Sequence, residues 1–121
     1  LVWCADSVIS GNTVRNCHNA GISLFFACER IAITGNTVVN DHPIADDPKE
    51  KAWWVRSGIW LTEPNRATYA ADHGHRDVTI VGNTIWCGEG ERRAIWVGRE
   101  SENVVVQSNA VHGGRIQLDG K

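Results

Sequence analysis

The chain has 121 residues with 12 basic and 14 acidic side chains, a net charge of −2, so it lacks the basic excess that binding to nucleic-acid phosphates requires. No apolar run approaches a membrane span, and the length suits one domain, residues 1–121. The four cysteines, Cys4, Cys17, Cys28 and Cys87, have no C-x-x-C spacing, which argues against a closed zinc site and favours buried thiols over disulfides.

From the start of the chain, "LVWC" at 1–4 alternates in the manner of a short strand. "ISGNTV" at 9–14 follows, with Ser7, Ile9 and Val14 on one face and Asn12 at a bend. A short link, "NCHNA" at 16–20, leads to a second alternating run, "GISL" at 21–24. The first motif then returns as "ITGNTV" at 33–38, "IVGNTI" at 80–85 and "VQSNAV" at 106–111. The second returns as "GIWL" at 58–61, "AIWV" at 94–97 and "RIQL" at 115–118.

The anchoring residues Asn12, Asn36, Asn83 and Asn109 are 24, 47 and 26 residues apart, and the middle step is close to two periods. A fixed period in the twenties signals a solenoid. A leucine-rich repeat would explain Ile31, Ile33, Asn36 and Val38, but the chain has too few leucines and places a second alternating strand where the helical return belongs. Stacked strands lie about 4.8 Å apart, so equivalent positions become vertical neighbours. The asparagines then form a ladder in which each side chain serves the bend of the next coil. Gly11, Gly35 and Gly82 permit the bend, and Ser108 stands in the fourth copy.

A motif of the form V-T-I-x-G-N-T-I followed by G-I-x-L resembles the repeats of the pectin-lyase-like superfamily, and the resemblance covers nearly the whole chain. It implies an all-β fold, a right-handed parallel β-helix of about four coils. It further implies a polysaccharide groove along the "I-x-L" strand face and an extracellular or cell-surface setting. No capping helix is visible at either end. The chain therefore reads as a segment of a longer solenoid or as a homo-oligomer whose subunits cover each other's ends.

Departures from the repeat mark the candidate site. The connection 40–54 and the stretch 62–75 are both far longer than their counterparts, and both flank the strand 57–61. Trp3, Trp60 and Trp96 share the middle, outward position of the "I-x-L" strand with Ser23 and Gln117, which predicts an aromatic column able to take a sugar ring. His42, Asp46 and Asp47 in the first loop are further candidates for substrate contact. For catalysis, a lyase or epimerase would use Arg56 or Arg66 to neutralise a sugar carboxylate, and His73, His75 or Tyr69 as the base. A glycoside hydrolase would pair Glu63 with Asp72, or either with Asp46 or Asp47.

"DHGH" at 72–75, and His18 with His42, raise a metal reading, but no ligand set assembles, for Ca²⁺ or any other ion, so no metal or cofactor is expected. Alginate-modifying β-helix enzymes carry an Asp-Pro-His run, whereas this chain has "NDHP" at 40–43, out of order. The groove is therefore carried over from the resemblance and the catalytic residues are not. The expected partner is a polysaccharide or oligosaccharide. The rival expectation is a non-catalytic spike, stalk or surface-protein module whose long loops bind another chain.

Overall fold

The computed structural model describes residues 1–17, 19–40, 57–88 and 92–120. Their regular structure is all strand: β1 (Ala5–Ser10), β2 (Thr13–Arg15), β3 (Ile22–Leu24), β4 (Glu29–Thr34), β5 (Thr37–Asn40), β6 (Ile59–Leu61), β7 (Arg76–Val81), β8 (Thr84–Cys87), β9 (Arg93–Val97), β10 (Glu102–Gln107), β11 (Ala110–His112) and β12 (Arg115–Leu118). Every third strand joins the same sheet, giving a first sheet β1-β4-β7-β10, a second β2-β5-β8-β11 and a third β3-β6-β9-β12. All pairings are parallel, so the chain winds through three sheets in turn as a β-solenoid.

Two details differ from the sequence reading. The asparagine motif is two strands rather than one running into a bend, because Gly35 and its counterparts turn the chain from the first sheet into the second. Across the 47-residue step β4 pairs directly with β7, so these two strands are neighbours in the first sheet. The extra length lies in the connection from β5 to β6, most of which is outside the described residues.

The repeat places like residues on like. Ile9, Ile33, Ile80 and Val106 lie in one vertical column of the first sheet. Val14, Val38, Ile85 and Val111 form one in the second sheet, and Ile22, Ile59, Ile95 and Ile116 one in the third. Ile33, Ile80, Val38, Ile85, Ile59 and Ile95 are wholly buried. Each contributes roughly 1.5–3 kcal/mol by burial. Ile9, Val14, Val106 and Val111, which have a neighbour on one side of the stack alone, are partly buried.

The asparagine ladder follows from the same register. Asn36 Oδ1 accepts from the backbone N–H and the Nδ2 of Asn12, both at 3.0 Å, and Asn83 Oδ1 serves Asn36 in the same way. Asn109 Oδ1 serves Asn83 at 3.0 and 2.9 Å. Each upper Nδ2 also donates to a strand carbonyl, from Asn36 to Ile9 and from Asn83 to Ile33. Gly35 enters its turn at φ 63°, and Ser108 holds the same left-handed geometry at φ 56°. A Cβ on Gly35 would meet nothing within 4 Å, so backbone conformation rather than space selects glycine there.

Candidate functional site

The third sheet carries the tryptophans. Ile59 and Leu61 point inward and are fully buried, so the pleat turns Trp60 outward, and Ile95 and Val97 do the same for Trp96. Pairing sets Ser23, Trp60, Trp96 and Gln117 in one column. The two indoles stack with centroids 5.2 Å apart and planes 5° from parallel, and Phe25 meets Trp60 edge-on at 5.6 Å. Parallel strands in register bring identical rings to that separation without further constraint.

Trp3 stands outside this column. Val2 bridges to Phe25, not Ile22, so the opening segment runs three residues further along the coil than the "I-x-L" alignment places it. Trp3 packs instead on Tyr69, centroids 4.4 Å apart, and is 63% exposed. Trp96 departs from the expected exposed face in the opposite sense and is 4% exposed. Its Nε1 donates to Asp119 Oδ2 at 3.0 Å, and the Arg93 guanidinium lies 4.7 Å from its ring centroid. The Trp96 bond, helped by one from Gln117, holds the Asp119 carboxyl below its ordinary range.

Beside the indole pair is a cleft of about 270 Å³, walled by Phe25, Phe26, Trp60 and Trp96 and rimmed by Thr62, Glu63 and Asn65. The sequence reading passed over the two phenylalanines. Their position directly after "GISL" was the available signal, because it continues the outward face beyond β3.

The stretch 62–75 borders the cleft and is tied down at several points. Asp72 is buried, and its carboxylate accepts from the backbone N–H of Asn65 at 2.9 Å and of Gly74 at 3.0 Å. Arg99 grips both Glu63 oxygens at 3.1 and 2.9 Å, and Arg66 grips both Glu100 oxygens at 3.2 and 2.8 Å. These crossed pairs strap the loop to the turn at 99–100. They are solvent-exposed, so salt weakens them. Among the described residues, Glu63 alone of the expected acid–base groups lines the cleft. Arg66 is committed to Glu100, and Asp72 closes a turn.

The two histidines of "DHGH" diverge. His73 Nε2 faces Glu29 at 3.1 Å on the outside. His75 is 1% exposed and belongs to the interior. Its Nδ1 accepts from the Cys28 N–H at 3.1 Å, which assigns the ring proton to Nε2, 3.4 Å from Thr62 Oγ1. The Thr62 hydroxyl gives its own proton to the Leu24 carbonyl at 3.0 Å, leaving its oxygen to accept. Burial drives the His75 pKa down to about 4 against a partial offset from the Asp72 charge, so the ring is neutral at pH 7.

His75 is level with Cys28 in the stack, and Cys4 N–H points at Cys28 Sγ at 3.5 Å. Cys4, Cys28, His75 and Ser101 all precede a ladder asparagine by the same offset, a second column of thiol, imidazole and hydroxyl side chains. All four cysteines are free thiols, and burial raises the Cys28 pKa.

Arg56, His42, Asp46, Asp47 and His18 lie outside the described residues. Among the described residues no group of three or more His, Cys, Asp or Glu side chains is placed to hold a metal ion. The chain matches no protein-family model, no curated protein sequence and no solved structure.

Proposed function

We propose that this chain is a stretch of right-handed parallel β-helix of the pectin-lyase-like kind, about four coils long, whose third-sheet face binds a polysaccharide. The supporting observation is the stacked Trp60–Trp96 pair, whose planes are nearly parallel, set beside a cleft of about 270 Å³. A sugar ring has an apolar C–H face and a polar rim. The aromatic wall suits the first, and Glu63 and Asn65 offer hydrogen-bonding groups to the second.

The arrangement favours binding over bond cleavage. A glycosidase needs two carboxyl groups ~5–10 Å apart across the scissile bond. Among the described residues Glu63 is the single carboxylate on the cleft, and it is held by Arg99. A processing activity would have to draw on Arg56 and the 40–54 connection. The second reading, a non-catalytic interaction module, is favoured by the near-complete covering of Trp96 within the chain itself. Under either reading we propose that the inward apolar positions of the end coils, Ile9 and Val14 on one side and Ile116 and Leu118 on the other, receive a further coil, from a second copy or from adjoining chain.

Glycan-array screening followed by fluorescence titration tests the proposal. Trp60→Ala should abolish saturable binding of the best array hit while the chain still melts cooperatively, at a midpoint lowered by loss of the contacts with Trp96 and Phe25. Unaltered affinity in that variant would remove the cleft from consideration. An array with no hits, together with light scattering that shows assembly, would favour the interaction module.

A further inference from the structure

The register that stacks asparagine on asparagine also stacks thiol on thiol. Ala5 pairs with Glu29 and Ser7 with Ile31, so Cys4 and Cys28, one residue before the first of these pairs, occupy the same position of adjacent coils. Cys4 N–H points at Cys28 Sγ at 3.5 Å, and the Glu29 N–H donates to the Cys4 carbonyl at 3.0 Å, which sets the two backbones side by side. Cys28 belongs to the core and Cys4 packs against it, so both side chains face the interior. Cys17 and Cys87 take different positions in the repeat, five residues after Asn12 and four after Asn83, and lie two coils apart. We infer that Cys4 and Cys28 form a reversible disulfide by exchange with a low-molecular-weight disulfide, stapling the first coil of the solenoid to the second.

Stacked Cα atoms of neighbouring parallel strands lie about 4.8 Å apart, inside the ~4.4–6.8 Å that a disulfide spans. Cys28 Sγ already points at the Cys4 backbone. The bond therefore calls for rotation of the Cys4 side chain away from the Val2 carbonyl, to which its thiol donates at 3.2 Å, rather than for movement of either strand.

Exposure sets the order of events. Cys4 is partly exposed and Cys28 wholly buried, so the Cys4 thiolate attacks the incoming disulfide, and one small thiolate leaves and takes up the Cys4 proton. The Cys28 sulfur then attacks the Cys4 sulfur of the mixed disulfide and expels the second small thiolate, which takes up the Cys28 proton. Two protein thiols and one small disulfide become one protein disulfide and two small thiols, and the small disulfide is the oxidant. Burial raises the Cys28 pKa and shields the thiol, which disfavours the reverse order. The staple pins the opening segment, where the Trp3 N–H donates to the Phe25 carbonyl and the indole packs on Tyr69 of the loop 62–75. Oxidation thus holds the end coil and that side of the loop together, whatever the cleft binds.

Equilibration of the whole chain with oxidised and reduced glutathione, followed by alkylation and tandem mass spectrometry of its peptides, tests the inference. A Cys4–Cys28 linkage that excludes Cys17 and Cys87 should accumulate, and dithiothreitol should reverse it. The oxidised chain should melt about 5–10 °C higher than the reduced one, the scale expected for closing a loop of this length. Amide exchange at Trp3 and Phe25 should slow. Cys28→Ser should retain glutathione on Cys4 with no gain in melting temperature, and Cys4→Ser should keep Cys28 as a thiol. Four unchanged thiols in the parent chain, a persistent glutathione adduct on its Cys4, linkage through Cys17 or Cys87, or linkage that forms only in denaturant would overturn the inference. A linked chain that melts no higher than the reduced chain would overturn the staple.

Discussion

His75 shows how position in the stack decides a residue's role. Its folded pKa, about 4, lies below the ordinary value of 6.5, so between those values the unfolded chain binds the extra proton. The stabilisation from the neutral buried ring is therefore complete above pH 6.5, falls as pH drops through the window, and is exhausted near pH 4. The loss amounts to about 3 kcal/mol, at 1.36 kcal/mol per pKa unit. Denaturant midpoints measured from pH 7 to 4 should show this slope. His75→Gln, which can accept from Cys28 and donate to Thr62 without titrating, should flatten it. The ladder makes a second prediction at this scale. Asn36→Ala removes the acceptor for two donors of Asn12 and the donor to Ile9 and Asn83. It should lower stability by about 1–3 kcal/mol in chemical denaturation, with no change in ligand binding.

The sequence made some of this visible and left some hidden. The ladder could be read because Asn12, Asn36, Asn83 and Asn109 keep their spacing to flanking apolar residues. His75 appeared as a loop base because "DHGH" is locally polar, although its offset from Asn83 equals that of Cys28 from Asn36. A titratable type drew attention to chemistry where the register assigned the core. Trp3 failed for the opposite reason. A four-residue alternation fits more than one register, and the bridge from Val2 to Phe25 is a tertiary choice that no local pattern encodes.

At the scale of elements, the loop 62–75 is held by few contacts, each of them identifiable. Asp72 serves the Asn65 and Gly74 amides from inside, while the Glu63–Arg99 and Arg66–Glu100 pairs act from outside. The buried bonds outweigh the exposed pairs, because water and salt screen the latter. Asp72→Ala should therefore release the loop, with hydrogen exchange at the Asn65 and Gly74 amides accelerating strongly while β6 and β9 amides keep their protection. Protection unchanged at Gly74 would mean that the straps alone hold the loop. That Glu63 reaches the cleft and Asp72 does not could not be read from their spacing, because the backbone turns between them and only the turn's own hydrogen bonds fix where each carboxylate points.

At the scale of the whole molecule, regular coils turn sequence period into vertical contact, and everything proposed for function depends on this. The aromatic cleft exists because β6 and β9 align Trp60 on Trp96, and the cysteine pair because β1 and β4 bring Cys4 beside Cys28. The fold was legible because repetition restates the same information four times. The cleft was less so, since its rim is built from irregular segments that occur once. Magnetisation transfer by NOESY tests this stacking most directly. Cross-peaks should join the indole protons of Trp60 to those of Trp96, and the side-chain amide protons of Asn36 to those of Asn83, residues that are distant in sequence. Well-resolved spectra with neither set of cross-peaks would contradict the stacked register and, with it, the cleft and the cysteine pair.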